Sequence, residues 1–343
     1  MKKFEGFYRG IDFGGWFSQC DYSQDRFDNF IKKEDFARVA SWGLDHIRLP
    51  FDYNLLETES GEYIERGFER LSEAVEEAHK NGLNIILDLH KTFGYSFDFG
   101  EKQEGFFDRE DYQERFYMLW EEVAKRYASL HEYVAFELLN EVTDPAYSPA
   151  WNKIATECIK RIRAISKDVK ILVGGYWNNS PDALKDLDVP IDENIVYNFH
   201  CYDPIVFTHQ GAGWVPGMPA DFRLSFNSTY KEYLEASEKV FPDGVSSLDA
   251  MKDIEGPINS QYFINRFAAA VAVAKEKDVP LYCGEYGVIN LADPKEVVRW
   301  LQAINEAFEH YGIGRAAWSY REMDFGFVDA NFAPVLDEAV KLL

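Results

Sequence analysis

Cations are scarce in this chain. Its 343 residues carry 36 Lys and Arg against 59 Asp and Glu, a net charge of −23. A surface that acidic repels phosphate backbones and anionic lipid, so neither a nucleic acid nor a membrane surface is expected as partner. Long apolar runs are missing too: no window approaches about 20 uninterrupted apolar residues, which excludes a helical membrane span. No apolar stretch follows Lys2-Lys3, because Glu5 and Arg9 interrupt it, and no secretory signal is read there. Cysteine is sparse, and Cys20, Cys158, Cys201 and Cys283 stand at no metal-ligand spacing in a chain long enough to fold without staples. They read as reduced thiols of a cytoplasmic protein, expected to be a monomer. No apolar run is followed by a GxGxxG turn and no zinc signature occurs, so neither a cofactor nor a metal is expected.

Aromatic residues, by contrast, are abundant, with 8 Trp, 20 Tyr and 27 Phe. Sugar rings present flat C–H faces that stack on such rings. Along the chain, short apolar runs alternate with longer amphipathic stretches. The runs begin near Phe7, His46, Asn84, Val134, Ile171, Ile195, Pro280 and Gly314. Amphipathic stretches such as 65–80, 110–127, 260–276 and 294–311 separate them, and a last helix is expected near 334–343. Strands alternating with helices imply parallel pairing through helical crossovers. Eight such units fit a single α/β domain over residues 1–343, a (β/α)8 TIM barrel. A doubly wound open sheet competes but lacks its phosphate-binding turn. Residues 203–259 exceed an ordinary βα connection and are expected to form an inserted, partly helical lid after strand six, with 229–240 helical.

In such a barrel the reactive groups follow the C-terminal ends of the strands. The polar residues there are Arg48, His90, Asn140, Glu141, His200, Tyr202, Glu285 and Trp318. Glu141 and Glu285 lie far apart in sequence, yet eight strand ends form one ring, so they can face each other. Two opposed carboxyls among aromatics are equipment for glycosidic-bond hydrolysis. Arg48 and Tyr202 can keep Glu285 ionised as nucleophile. Glu141, desolvated and near a second carboxylate, can hold its proton as the acid.

The motifs carrying these residues are Arg9-Gly-Ile-Asp-Phe-Gly-Gly-Trp16, Asp45-His-Ile-Arg-Leu-Pro-Phe-Asp-Tyr53, Leu87-Asp-Leu-His90, Ala135-Phe-Glu-Leu-Leu-Asn-Glu141, Tyr197-Asn-Phe-His-Cys-Tyr202, Tyr282-Cys-Gly-Glu285 and Ala317-Trp318. Together they resemble glycoside hydrolase family 5, and within it the cellulase C-type endoglucanases acting on β-1,4 and mixed β-1,3/1,4-glucans. The resemblance implies Glu141 as acid/base and Glu285 as nucleophile, with retention of configuration. It implies Arg48, His90, Asn140, His200, Tyr202 and Trp318 around the sugar at the scissile bond, with Asn140 on the 2-hydroxyl and Trp318 as platform. The chain departs from that pattern at Lys91, where the group carries a second histidine. This adds a charge on the glycone side, either a substrate contact or a partner for acids such as Asp98.

Further candidates are Trp177 and Asn178 after strand five, either contacts to a ring face and hydroxyls or plain loop packing, and Trp16, either a stacking surface two units from the cleavage point or hydrophobic core. Trp214 and His209 either line leaving-group subsites or pack the lid. Tyr95, Phe97 and Phe99 are candidates for a cleft wall. The expected function is a retaining β-glucan hydrolase. An exo-acting β-glucosidase or β-mannosidase is the alternative on the same scaffold, and a non-catalytic sugar-binding barrel the alternative from another class.

Overall fold

A computed structural model of the chain describes every residue except Phe99, Gly100, Lys102 and Asp243. Eight parallel strands follow one another around a closed barrel, with β1 returning to pair with β8. They are β1 Arg9–Asp12, β2 His46–Asp52, β3 Asn84–Lys91, β4 Val134–Glu137, β5 Lys170–Val173, β6 Ile195–Cys201, β7 Leu281–Tyr286 and β8 Gly314–Ala317. Every apolar run marked in the sequence is one of these strands. The long helices Glu65–Lys80, Glu110–Tyr127, Ser148–Ile165, Ser260–Glu276 and Pro294–Tyr311 occupy the amphipathic stretches between them. Only the last expected helix shrinks: it covers Leu336–Ala339, and the chain around it turns so that Val335 and Leu343 are buried.

Strand alternation sorts the side chains into two interiors. In β2, Ile47, Leu49 and Phe51 join the core shared with Phe68 and Leu71 of the following helix. Arg48 points the other way, into the lumen. The N-terminal end of the lumen is plugged by a separate apolar cluster that includes Phe4, Phe7, Ile86, Val196 and Tyr282. Further along the strands the lumen turns polar, with Asp12, Arg48, Asp88, Glu137 and Asn198 all fully buried. The strand register is irregular near the C-terminal ends, between Phe51 and Asp52, between Phe199 and His200, and between Cys283 and Tyr286. Such shifts re-aim side chains at a rim. Here one sets His200 opposite Glu285.

The segment after β6 contains a short helix at Ile205–Thr208, the helix Tyr230–Val240 capped by Thr229, and a 3-10 turn at Ser246–Met251. It is tied to the helix Pro294–Tyr311, whose Glu296 accepts from the Ser225 hydroxyl and the Phe226 N–H at 2.9 and 2.8 Å.

The helix Glu65–Lys80 packs so closely on the turn after β2 that a Cβ at Gly67 would sit 1.8 Å from the Leu55 carbonyl oxygen. Alanine ordinarily stabilises a helix relative to glycine. At this position the sign should reverse, because the backbone itself must move. Gly67→Ala is expected to cost about 1–3 kcal/mol in urea denaturation, and an unchanged or raised midpoint would contradict this packing.

Candidate active site

The strand order fixes who meets whom at the C-terminal rim. Glu285 lies in β7, His200 beside it in β6, and Asn140 and Glu141 just beyond β4. One carboxylate oxygen of Glu141, one of Glu285 and a ring nitrogen of His200 all lie within 4.8 Å of one another. The residue before Glu285 has to be glycine. A Cβ at Gly284 would come 2.7 Å from Asn198 Oδ1 and 3.0 Å from His200 Nε2, and its own N–H donates to that Asn198 oxygen at 2.9 Å.

Arg48 stands beneath the pair. Its Nε and Nη2 donate to the two oxygens of Glu137 at 2.7 and 2.9 Å. Nη1 donates to Glu285 at 2.8 Å and to Asp12 at 3.1 Å. Nη2 also reaches Asn140 Oδ1 at 2.7 Å and Asp88 at 3.0 Å. With its Oδ1 turned to Arg48, Asn140 keeps a buried Nδ2 that has no partner among the described residues. That free donor suits a sugar hydroxyl. Burial pushes Asp12, Asp88 and Glu137 upward, against the pull of the guanidinium. One cation facing these acids and Glu285 cannot neutralise them all, so protons remain within the group.

The two rim carboxylates differ in their company. Glu285 accepts from Arg48 on one oxygen and from the Tyr202 hydroxyl on the other, at 2.8 and 2.9 Å. Glu141 has no Lys or Arg in contact among the described residues. Asn178 Nδ2 donates to its Oε2 at 2.7 Å, and His200 Nδ1 lies 2.8 Å from its Oε1. Burial raises Glu141 to about 7, with Asn178 and Arg48 pulling the other way. Burial also lowers His200 to about 4, leaving it neutral near pH 7. The Asn179 amide nitrogen lies 3.4 Å from His200 Nε2, which as an acceptor leaves the ring proton on Nδ1, toward Glu141.

Asn178 reaches Glu141 through an unusual turn. Trp177, Asn178 and Asn179 all adopt left-handed backbone, at φ 51°, 54° and 57°. The turn is held because the Trp177 and Asn178 N–H groups donate to the Thr143 and Val142 carbonyls, at 3.2 and 3.0 Å. The Asn179 side chain donates to the Asn140 carbonyl. Trp177 is thereby turned outward.

The rim opens into a cleft of about 850 Å³. Glu141, Glu285, His90, His200, Tyr202, Trp177, Asn178 and Trp318 line it. His90 and Trp318 lie parallel within 2°, with centroids 5.6 Å apart, and Asp88 holds His90 Nδ1 at 2.6 Å. Two expected contacts are placed elsewhere. Trp16 stacks on Phe17 at 4.0 Å and donates to the Phe27 carbonyl, so it is core, drawn inward by the apolar pocket around it. Lys91 is buried behind the cleft, its amine 2.5 Å from Asp98 and 2.8 Å from Glu101, so the pairing with local acids prevails. Trp214 and His209 both line the cleft, and His209 also packs against Tyr202 and Phe325. Helix Tyr230–Val240 contributes no lining residue. Phe97 lines the cleft and Tyr95 bonds the Glu141 carbonyl; Phe99 lies outside the described residues.

Sequence reading passed over Asp12, Asp88, Glu137 and Asn198. Their signal was present: each is a lone polar residue between apolar neighbours inside a strand. Gln19 and Asp98, both lining the cleft, come from loops where no periodicity operates.

Comparison with known proteins gives the family and the fold. The family model for cellulase (glycosyl hydrolase family 5) matches residues 11–324. The chain is similar to cellodextrinase A of Ruminococcus flavefaciens, 43% identical over 344 residues, covering 100% of this chain and 94% of that protein. It is similar to endoglucanase C of Acetivibrio thermocellus, 38% identical over 343 residues and 98% of each. Among solved structures, endoglucanase Cel5A of Thermotoga maritima superposes with a TM-score of 0.76 at 26% identity, covering 98% of this chain and 96% of that one.

Asn178 supports the charged form of Glu141, so its removal should raise that group further. In Asn178→Ala the alkaline limb of the kcat/KM profile is expected to move up by roughly one pH unit, the worth of a hydrogen bond to a charged group. A limb that stays in place or moves down would show that Asn178 does not tune Glu141.

Proposed function

This chain belongs to glycosyl hydrolase family 5, and from that premise we propose that it hydrolyses β-1,4-linked, and mixed β-1,3/1,4-linked, glucans and their oligosaccharides with retention of configuration. The observation that carries the mechanism is the spacing of the two carboxylates, with oxygens within 4.8 Å. Direct attack needs carboxyls about 5–5.5 Å apart, whereas attack through an intervening water needs about 6.5–9.5 Å.

Glu285, its charge held by Arg48 and Tyr202, attacks the anomeric carbon. The glycosidic bond breaks, and Glu141 gives its proton to the departing oxygen. The product is an ester between the sugar and Glu285. With that carboxylate esterified, Glu141 is now ionised and takes a proton from water, whose oxygen displaces Glu285 from the anomeric carbon. Trp318 supplies the platform for the reacting sugar, and Asn140 Nδ2 the donor for its 2-hydroxyl. The names of the relatives, a cellodextrinase and an endoglucanase, support β-glucan as the substrate class. Free cysteines, three of them buried, support a reducing compartment, and we place the enzyme in the cytoplasm, acting on imported oligosaccharides.

Glu141 works as an acid only while protonated, so with a folded value of about 7 turnover of cello-oligosaccharides should fall as pH rises through that value. Glu141→Gln is expected to lose about 10²–10⁴-fold on cello-oligosaccharides and far less on aryl cellobiosides whose leaving group needs no proton. Equal losses on both substrates would refute the acid assignment. Glu285→Ala should lose orders of magnitude on both while retaining sugar affinity; retained turnover would refute the nucleophile.

A further inference from the structure

The cleft is built differently at its two ends. Beside Glu141 it opens past Trp177, which adjoins Asn178 and its contact to that carboxylate and is 53% exposed. Beside His90, two loops meet across it. Gln19, in the loop after β1, donates its side-chain amide to Asp98 Oδ1 at 2.9 Å and rests its carbonyl oxygen 3.3 Å from His90 Nε2. Asp98, in the loop after β3, is gripped from behind by Lys91, which also holds Glu101.

Both halves of this contact are anchored in the barrel. The Gln19 N–H and the hydroxyls of Ser18 and Tyr22 converge on Asp52, at 3.2, 2.8 and 2.5 Å. Asp52 closes β2, and Lys91 closes β3. The buried Lys91 stays charged, because Asp52, Asp98 and Glu101 outweigh the cost of burial and raise it.

Which end is which follows from the reaction. Glu141 delivers its proton to the oxygen that leaves, so the leaving chain lies on its side, over Asn178 and Trp177. The glycone lies toward Trp318 and His90. Immediately beyond His90 stands the Gln19–Asp98 contact, a polar bridge that itself offers no ring face to another sugar. Trp16, which could have supplied such a face, is turned into the core. Phe97 stands edge-on to His90, at 4.9 Å and 90°.

We propose that the Gln19–Asp98 bridge, braced by Lys91, is the end wall of the glycone side. The enzyme then accepts a glycone of one or two glucose units and cuts near the non-reducing end of soluble β-glucan chains, while the leaving-group side stays open to length. Lys91 acts as a positioning residue for Asp98, not as a sugar contact. The proposal rests on the assignment of Glu141 and Glu285 given above.

Cellohexaose labelled at its reducing end tests it. Early in the reaction the wild-type chain should yield labelled pentaose and tetraose, the pieces left when one or two units depart. Labelled triose or shorter as the main first product overturns the wall and leaves the hydrolase standing. No cleavage of any β-glucan would sink the hydrolase reading itself. Gln19→Gly removes the bridge and suits the left-handed backbone there, φ 49°, so folding is expected to survive. Combined with Asp98→Ala, it should move cleavage inward and raise kcat/KM on mixed-linkage polymer, relative to cellotriose, by about tenfold. Folded single and double variants with an unchanged product pattern overturn the proposal. Because the wild-type pattern is itself decisive, a variant that fails to fold does not protect it.

Discussion

A guanidinium cannot give up its charge, and Arg48 is sealed in the lumen with carboxylates from four different strands. That constraint orders the rest of the rim. Removing a cation of this kind from water is expensive and is offset only by well-aligned partners. Here the fork of donors is matched to Glu137 through two parallel bonds, the remaining N–H groups go to Asp12, Asn140 and Glu285, and Asp88 lies in ion-pair range at 3.0 Å. The arrangement fixes one oxygen of Glu285 and one end of the Asn140 amide with the same side chain. A lysine would bring a point charge but no fork, and could not set both at once.

Above that layer, the division of labour between the rim carboxylates follows from their neighbours rather than from their residue type. Glu285 is supplied with an ion-pair partner and a hydroxyl. Glu141 is left with an amide and a neutral imidazole, in a place where water is largely excluded. Two chemically identical groups therefore stand in different surroundings in one cleft, and burial raises Glu141 to about 7. Below the layer, the apolar plug closes the other end of the lumen.

The fold was legible because its signal is repeated. Eight apolar runs alternating with amphipathic stretches leave little freedom once a parallel sheet must close, and strand ends then become the natural places to look. The rim residues were legible for the same reason. Residues whose roles depend on loops were not. Trp16 has the composition of a sugar platform, yet the choice between cleft and core is made by the pocket around Phe17 and Phe27. Lys91 left two readings open, which only its distance to Asp98 and Glu101 could separate. The buried acids around Arg48 were written in the quoted motifs but look like ordinary alternation until the lumen partner is known.

The turn at Trp177–Asn179 has a consequence for anyone seeking a hardier version of this protein. Left-handed backbone at a residue with a Cβ costs on the order of 1 kcal/mol, and here it recurs three times in a row. Glycine would relieve each position, so the segment is a natural target for thermal improvement. Yet the same torsions bring an amide to Glu141 and turn an indole toward solvent. Durability gained at that corner would be taken out of turnover, which makes it a place where laboratory selection for heat resistance and selection for speed should part company.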